Sequence, residues 1–94
     1  MATFQIGETV ICSCEVRDDA GVLKNPATSM TVAIYDANGV VVVPTTSMGT
    51  PDSTGKYHYD FASTGKPGLT YTVYYTATDG SRITIAKDEF KLES

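Results

Sequence analysis

His58 and Asp60 stand two residues apart in the run Tyr57-His58-Tyr59-Asp60-Phe61, and His58 is the only histidine of the 94 residues. Residues two apart on a strand share a face, so a carboxylate there can orient an imidazole. Nucleophilic catalysis would also need a Ser or Cys set against the ring, and no recognisable motif supplies one. The pair reads as a solvated strand surface with a cross-strand contact, and no catalytic residue is expected. Cys12 and Cys14 are the only cysteines. On an extended chain their Cα atoms lie roughly 6.5 to 7 Å apart with parallel side chains, at or beyond disulfide reach. A Cys-x-Cys metal half-site would need two more soft ligands. Both thiols are expected as small buried apolar groups beside Val10 and Val16, free and suited to synthesis in a reducing compartment.

Oxygen ligands come next. Asp18, Asp19, Asp52, Asp79 and Asp88 are expected in turns, and carboxylates from several loops can together hold Ca²⁺. No spaced acidic loop motif accompanies them, and Asp-Gly turns form for backbone reasons alone. No metal and no cofactor is therefore assigned, with loop-bound Ca²⁺ left as the alternative to plain turn chemistry. The best candidate surface is the alternating stripe Thr70, Thr72, Tyr74, Thr76 and Thr78. Tyr74 can stack on a sugar or anchor a protein partner. The competing reading is that threonine is simply a good strand former. Val40 to Val43 is a second candidate, an apolar edge open to strand addition by a protein partner or a second copy, with Val41 and Val43 as its contact residues.

The elements that must position these groups are strands. Fourteen threonines and nine valines dominate, and eight glycines and four prolines fall between apolar alternations. Phe4 to Ile6 predicts a short first strand, and Glu8 to Arg17 a second with Val10, Cys12, Cys14 and Val16 inward. Ile11 faces the other way, where the N-terminal segment is expected to cover it. Met30, Val32 and Ile34 mark a third strand. Asn38-Gly39 then predicts a hairpin back through Val40 to Val43, with Pro44 marking an edge. Thr45 to Thr50 reads as a weak strand or extended loop anchored by Met48. Tyr57, Tyr59 and Phe61 alternate in a fifth strand.

In the sixth, Tyr71, Val73, Tyr75 and Ala77 face inward. Asp79-Gly80-Ser81 turns into the last strand, where the phase changes: Ile83 and Ile85 are odd-numbered, Phe90 and Leu92 even-numbered. A bulge or excursion near Ala86 to Glu89 is expected to bring both pairs to the core. Seven short alternating strands at this spacing predict one antiparallel β-sandwich domain over residues 1–94. A net charge of −4 with lysines scattered along the chain argues against nucleic acid or an anionic membrane as partner. The start, MATFQIGETV, is expected to be no signal peptide, and no apolar run approaches the length of a membrane helix.

The segment Gly65 to Gly80, GKPGLTYTVYYTATDG, resembles the sixth strand and its lead-in turn in fibronectin type III and related immunoglobulin-like domains. There a Pro-Gly turn precedes a tyrosine whose hydroxyl caps the corner, and Tyr71 matches it. The wider frame is similar to immunoglobulin-like modules of the macroglobulin type and of bacteriophage and prokaryotic surface proteins. It runs through Gly7 to Val10, Val16 to Gly21, Asn25-Pro26, Thr31 to Gly39 and Gly55 to Phe61. The chain has no tryptophan, and Cys12 has no partner in the sixth strand, which point away from antibody-like domains and towards the phage and prokaryotic branch. The resemblance implies a Greek-key immunoglobulin-like sandwich. It also implies a non-enzymatic structural or interaction module, such as an accessory component of a phage particle, with a carbohydrate- or protein-binding adhesion module as the alternative.

Overall fold

The computed structural model describes residues 2–18, 20–26 and 28–93, and these form strands without any helix. The strands are β1 (Ala2–Gln5), β2 (Thr9–Glu15), β3 (Ser29–Tyr35), β4 (Val41–Ser47), β5 (Lys56–Ala62), β6 (Thr70–Asp79) and β7 (Arg82–Glu93). One sheet has the order β1-β7-β6-β3-β4, with β1 parallel to β7 and the other pairs antiparallel. The second sheet is the antiparallel pair β2-β5. Phe61 of β5 meets Tyr71 of β6 and Phe90 of β7 at ring-centroid distances of 6.0 and 5.8 Å, so the sheets share one core.

Alternation decides which residues enter it. Val10 and Cys12 of β2, Met30, Val32 and Ile34 of β3, and Tyr57 and Phe61 of β5 are buried. On β6, Tyr71, Val73, Tyr75 and Ala77 are buried while the other six residues are half-buried. Cys14, Val16 and Tyr59 are half-buried and pack against this core, and Met48 is buried as the anchor beyond β4.

Three polar ties close the ends of the sheets. Tyr71, stacked on Phe90, donates its hydroxyl to the Pro67 carbonyl at 2.6 Å, fixing the turn that leads into β6. Ser63, fully buried, donates to the Glu8 carbonyl at 2.6 Å and accepts the Gly7 N–H at 2.9 Å. Gly55 accepts the Val16 N–H at 2.7 Å and donates its own N–H to the Asn25 side chain at 2.7 Å. The loops at Asp18 and Asp36 share one construction: each carboxylate accepts the N–H of the residues two and four further on.

Several expectations need correction. Ile11 is 63 % exposed, because β1 pairs with β7 in the opposite sheet and cannot cover β2. The β6–β7 register runs without a break from Thr70↔Lys91 to Asp79↔Arg82, so no bulge interrupts β7. Ile83 and Ile85 consequently face outward, 65 % and 63 % exposed. The two-residue loop Gly80-Ser81, with Gly80 at φ 63°, suits the strand twist and keeps the pair in phase. Asp88 lies inside β7 and not in a turn, and Asp19 falls outside the described residues.

Val43 is buried opposite Ile34, whereas Val41 is half exposed opposite Tyr35. Two residues of β4 span one step of β3 there. The extra residue turns two valines of equal parity to opposite faces.

Gly55 and Gly65 have similar positive φ values, 72° and 78°, yet a Cβ on Gly55 would lie 2.6 Å from the Val16 carbonyl oxygen and one on Gly65 meets nothing. Gly65→Ala is expected to cost about 1 kcal/mol, the backbone penalty alone. Gly55→Ala should cost clearly more in the same urea titration, since backbone must move. Equal costs would contradict this packing.

Candidate functional site

The outer face of the five-stranded sheet is built by the side chains that alternation excludes from the core. Register places Thr72 opposite Tyr35, Tyr74 opposite Ala33 and Thr76 opposite Thr31. On the other side of β6, Tyr74 faces Lys87 and Thr76 faces Ile85. Tyr35 and Tyr74 meet edge to face, centroids 5.6 Å apart and planes at 84°, in a favourable aromatic geometry. Ala33 beneath them is buried despite its outward phase, so the two rings form a rigid ridge on a small-residue floor. A shallow groove of about 540 Å³ runs beside this ridge, lined by Tyr35, Tyr74, Thr72, Thr76, Thr45 and Ile85.

The expected stripe is thereby divided. Thr72, Tyr74 and Thr76 line the groove, whereas Thr70 and Thr78 lie at the ends of β6, opposite Lys91 and Ile83. Val41 joins the same face through its pairing with Tyr35, and Val43 belongs to the core. Sequence reading missed Tyr35 and placed Ile85 in the core. The signal for Ile85 lies in the Asp79-Gly80-Ser81-Arg82 turn, because a two-residue loop puts odd residues of β7 on the face of even residues of β6.

His58 sits on the outer face of the other sheet. Its Nδ1 lies 2.7 Å from the Asp52 carboxylate and its Nε2 3.7 Å from Asp60. The hydrogen bond to Asp52, and then the Asp52 charge, raise its pKa above the ordinary 6.5. Ser13 stands opposite His58 in the register, but among the described residues no hydrogen bond joins the two side chains.

Cys12 and Cys14 are free thiols. Burial pushes each up to about 11, with Asp88 adding to the effect at Cys12. Among the described residues the buried Tyr75 hydroxyl has no hydrogen-bond partner, and the Cys12 thiol stands beside it without hydrogen-bond geometry. Both thiols are thus poor nucleophiles.

A second cleft, of about 390 Å³, lies where the end of β2 meets the β6–β7 turn, and is lined by Arg17, Asp18, Lys24, Asp79 and Arg82 among others. Its charges are engaged locally. Arg17 bonds Glu15 at 2.6 Å and the Gly21 carbonyl at 3.0 Å, Lys24 pairs with Asp79 at 3.2 Å, and Asp18 holds its own loop. Among the described residues no three His, Cys, Asp or Glu side chains gather as a metal site. Comparison with known proteins returns no matching family model, no matching curated protein and no matching solved structure.

The raised His58 pKa has a defined sign: the proton is held more tightly in the folded chain. The added stability is present below pH 6.5 and is lost as pH rises through the folded-state pKa. A ¹H–¹⁵N titration of the ring should give a midpoint above 6.5, and Asp52→Asn should lower it. An unchanged midpoint in Asp52→Asn would contradict the assignment. Thiol labelling at pH 8 should be slower than for free cysteine by on the order of 100-fold, from the smaller thiolate fraction.

Proposed function

We propose that this chain is an immunoglobulin-like β-sandwich acting as a non-enzymatic interaction module, which docks a protein partner on the outer face of β7, β6, β3 and β4. The observation that carries the docking role is the groove beside the Tyr35–Tyr74 ridge, with Ile85 on its wall and Val41 on the same face. Rigid aromatic rings flanked by apolar and hydroxyl groups give large contact area at low entropic cost, which suits a binding anchor. The fold assignment is supported by the order β1-β7-β6-β3-β4 facing β2-β5, and by the Tyr71 hydroxyl bonded to the Pro67 carbonyl at the corner. The departures noted in sequence favour a phage-particle accessory component within that class.

The alternative is a carbohydrate-binding adhesion module. Threonine hydroxyls beside a tyrosine ring are the feature that favours it.

The test is co-expression with the structural proteins encoded by neighbouring reading frames. Co-purification is expected for the wild type, with a loss of about 2 kcal/mol in binding for Tyr74→Ala and unchanged thermal stability within about 1 kcal/mol. Glycan-array binding that Tyr74→Ala abolishes, without co-purification, would move the assignment to the adhesion class. Binding untouched by Tyr74→Ala would remove this face from the account.

A further inference from the structure

Strand pairing leaves one edge of the smaller sheet open. Among the described residues β2 pairs with β5 alone, and Thr9–Glu15 contains neither proline nor glycine. Glu15, at its end, is the one charged residue of the strand and is bonded to Arg17 at 2.6 Å. The β4 edge, by contrast, carries Pro44 and two register irregularities, both of which obstruct further pairing.

The backbone of β2 has a defined phase. The Val16 N–H donates to the Gly55 carbonyl at 2.7 Å, on the β5 side. Lys56, opposite Glu15, instead bonds Ser53 and Asp52, away from β2. Alternation therefore turns the N–H and C=O of Cys12 and Cys14 to β5, and those of Ile11 and Ser13 to the open edge.

The larger sheet supplies a floor beside that edge. Cys14, Val16 and Arg17 line a small cavity of about 80 Å³ together with Tyr75, Ala77, Thr84 and Ala86, so β2 lies over β6 and next to the inner face of β7. Burial and then the Asp88 charge raise the Cys12 pKa, which puts Asp88 near Cys12 across the layers. Yet Thr84, Ala86 and Asp88 are exposed, because no strand of the smaller sheet reaches over them. Sheets stack about 10 Å apart, so the space beside β2 holds a further strand and its inward side chains. Thr84 and Ala86 make a small-residue floor, and Asp88 gives it a negative end. One Asp88 oxygen accepts the Glu89 N–H at 2.8 Å, and among the described residues no cation pairs with the other.

We propose that this cleft receives an extended segment of another protein, added antiparallel to β2, with apolar side chains over Thr84 and Ala86 and a lysine or arginine over Asp88. The basic residue follows from the unmatched carboxylate, and the antiparallel direction from its stronger ladder at Ile11 and Ser13. Main-chain bonds supply affinity, and alternate side chains supply specificity. A second copy does not fit through its own β2. Because β7 reaches past β2, two-fold pairing of β2 edges would bring both β7 floors into one place. The cleft lies on the opposite face of the larger sheet from the Tyr35–Tyr74 ridge, so Tyr74→Ala is expected to leave it unchanged.

Strand addition is tested on the whole chain with a synthetic blocked peptide in which threonine alternates with valine, alanine and lysine, in that order. Antiparallel to β2, these three side chains fall over Thr84, Ala86 and Asp88. At millimolar peptide, ¹H–¹⁵N spectra should show shifts confined to Thr9–Glu15 and Thr84–Asp88. Exchange of the Ile11 and Ser13 amides should slow at least about fivefold, with Cys12 and Cys14 already protected in the free chain. N-methylation of the peptide's pairing amides should abolish binding. Ser13→Pro should do the same with its thermal midpoint kept, since it removes an open-edge donor and no bond to β5. Asp88→Asn should weaken binding about tenfold, and should have no further effect on a peptide with glutamine in place of lysine. Absence of shifts at both segments, or binding that survives N-methylation, overturns the proposal. Equal affinity in Asp88→Asn overturns the basic residue. A wild type that dimerises in sedimentation with Ile11 and Ser13 protected overturns the choice of a foreign segment.

Discussion

The unbroken antiparallel register between β6 and β7 is the constraint on which the rest of the structure depends. It begins at the two-residue loop Gly80-Ser81 and holds through ten residue pairs to Thr70↔Lys91. Because side chains alternate strictly, one register choice assigns a face to every residue of both strands at once. It sends Tyr71, Val73, Tyr75 and Ala77 of β6, and Phe90 and Leu92 of β7, into the core. The same choice sends Tyr74, Thr76, Ile83 and Ile85 outward. A slip of one residue on β7 would expose Phe90 and Leu92 and break the stacking of Tyr71 on Phe90 at 5.3 Å.

Around that hairpin the second sheet is small. Two strands of seven residues cover the middle of the five-stranded sheet but not the turn end of β7, where Thr84, Ala86 and Asp88 remain exposed on the inner phase. The core is correspondingly short, and its ends are closed by hydrogen bonds: Tyr71 to Pro67, Ser63 to Glu8, and Gly55 to Val16 and Asn25. Buried polar groups of this kind cost more to disturb than their net contribution suggests, since the partner left behind is desolvated and unmatched. The outer face of the larger sheet is thus a by-product of architecture: Tyr35 and Tyr74 brace each other over buried Ala33, and among the described residues no strand or loop covers them.

Much of this was legible in the residues. Period-two alternation located the inward positions of β2, β3, β5 and β6, and Pro44 marked β4 as an edge. What escaped has identifiable physical causes. Ile83 and Ile85 were assigned inward because isoleucine is usually buried, yet hairpin phase outweighs side-chain preference where the opposite sheet does not reach. Val43 and Val41 could not be separated by parity, because a bulge in β4 is a feature of pairing and leaves no mark in a run of four valines. The Asp52–His58 contact joins a turn to a strand, and spacing within one strand could not show it. The ridge at Tyr74 was half visible, since Tyr35 reaches it only once β3 and β6 are neighbours.

The most direct measurement is a set of inter-strand Hα–Hα nuclear Overhauser contacts along the β6–β7 hairpin in solution. In an antiparallel pair, residues that are opposite but not hydrogen-bonded approach to a Cα separation of ~4.5 Å and give the strongest such contacts. The Leu92 N–H bonds the Leu69 carbonyl while the Glu93 carbonyl turns away to Ile6, so odd-numbered residues of β7 form the pairs without hydrogen bonds, and strong contacts are predicted for Thr78–Ile83, Thr76–Ile85, Tyr74–Lys87 and Thr72–Glu89, without interruption. A break or one-residue offset between Ala86 and Glu89 would return the isoleucines to the core side and contradict the outer face described for this chain.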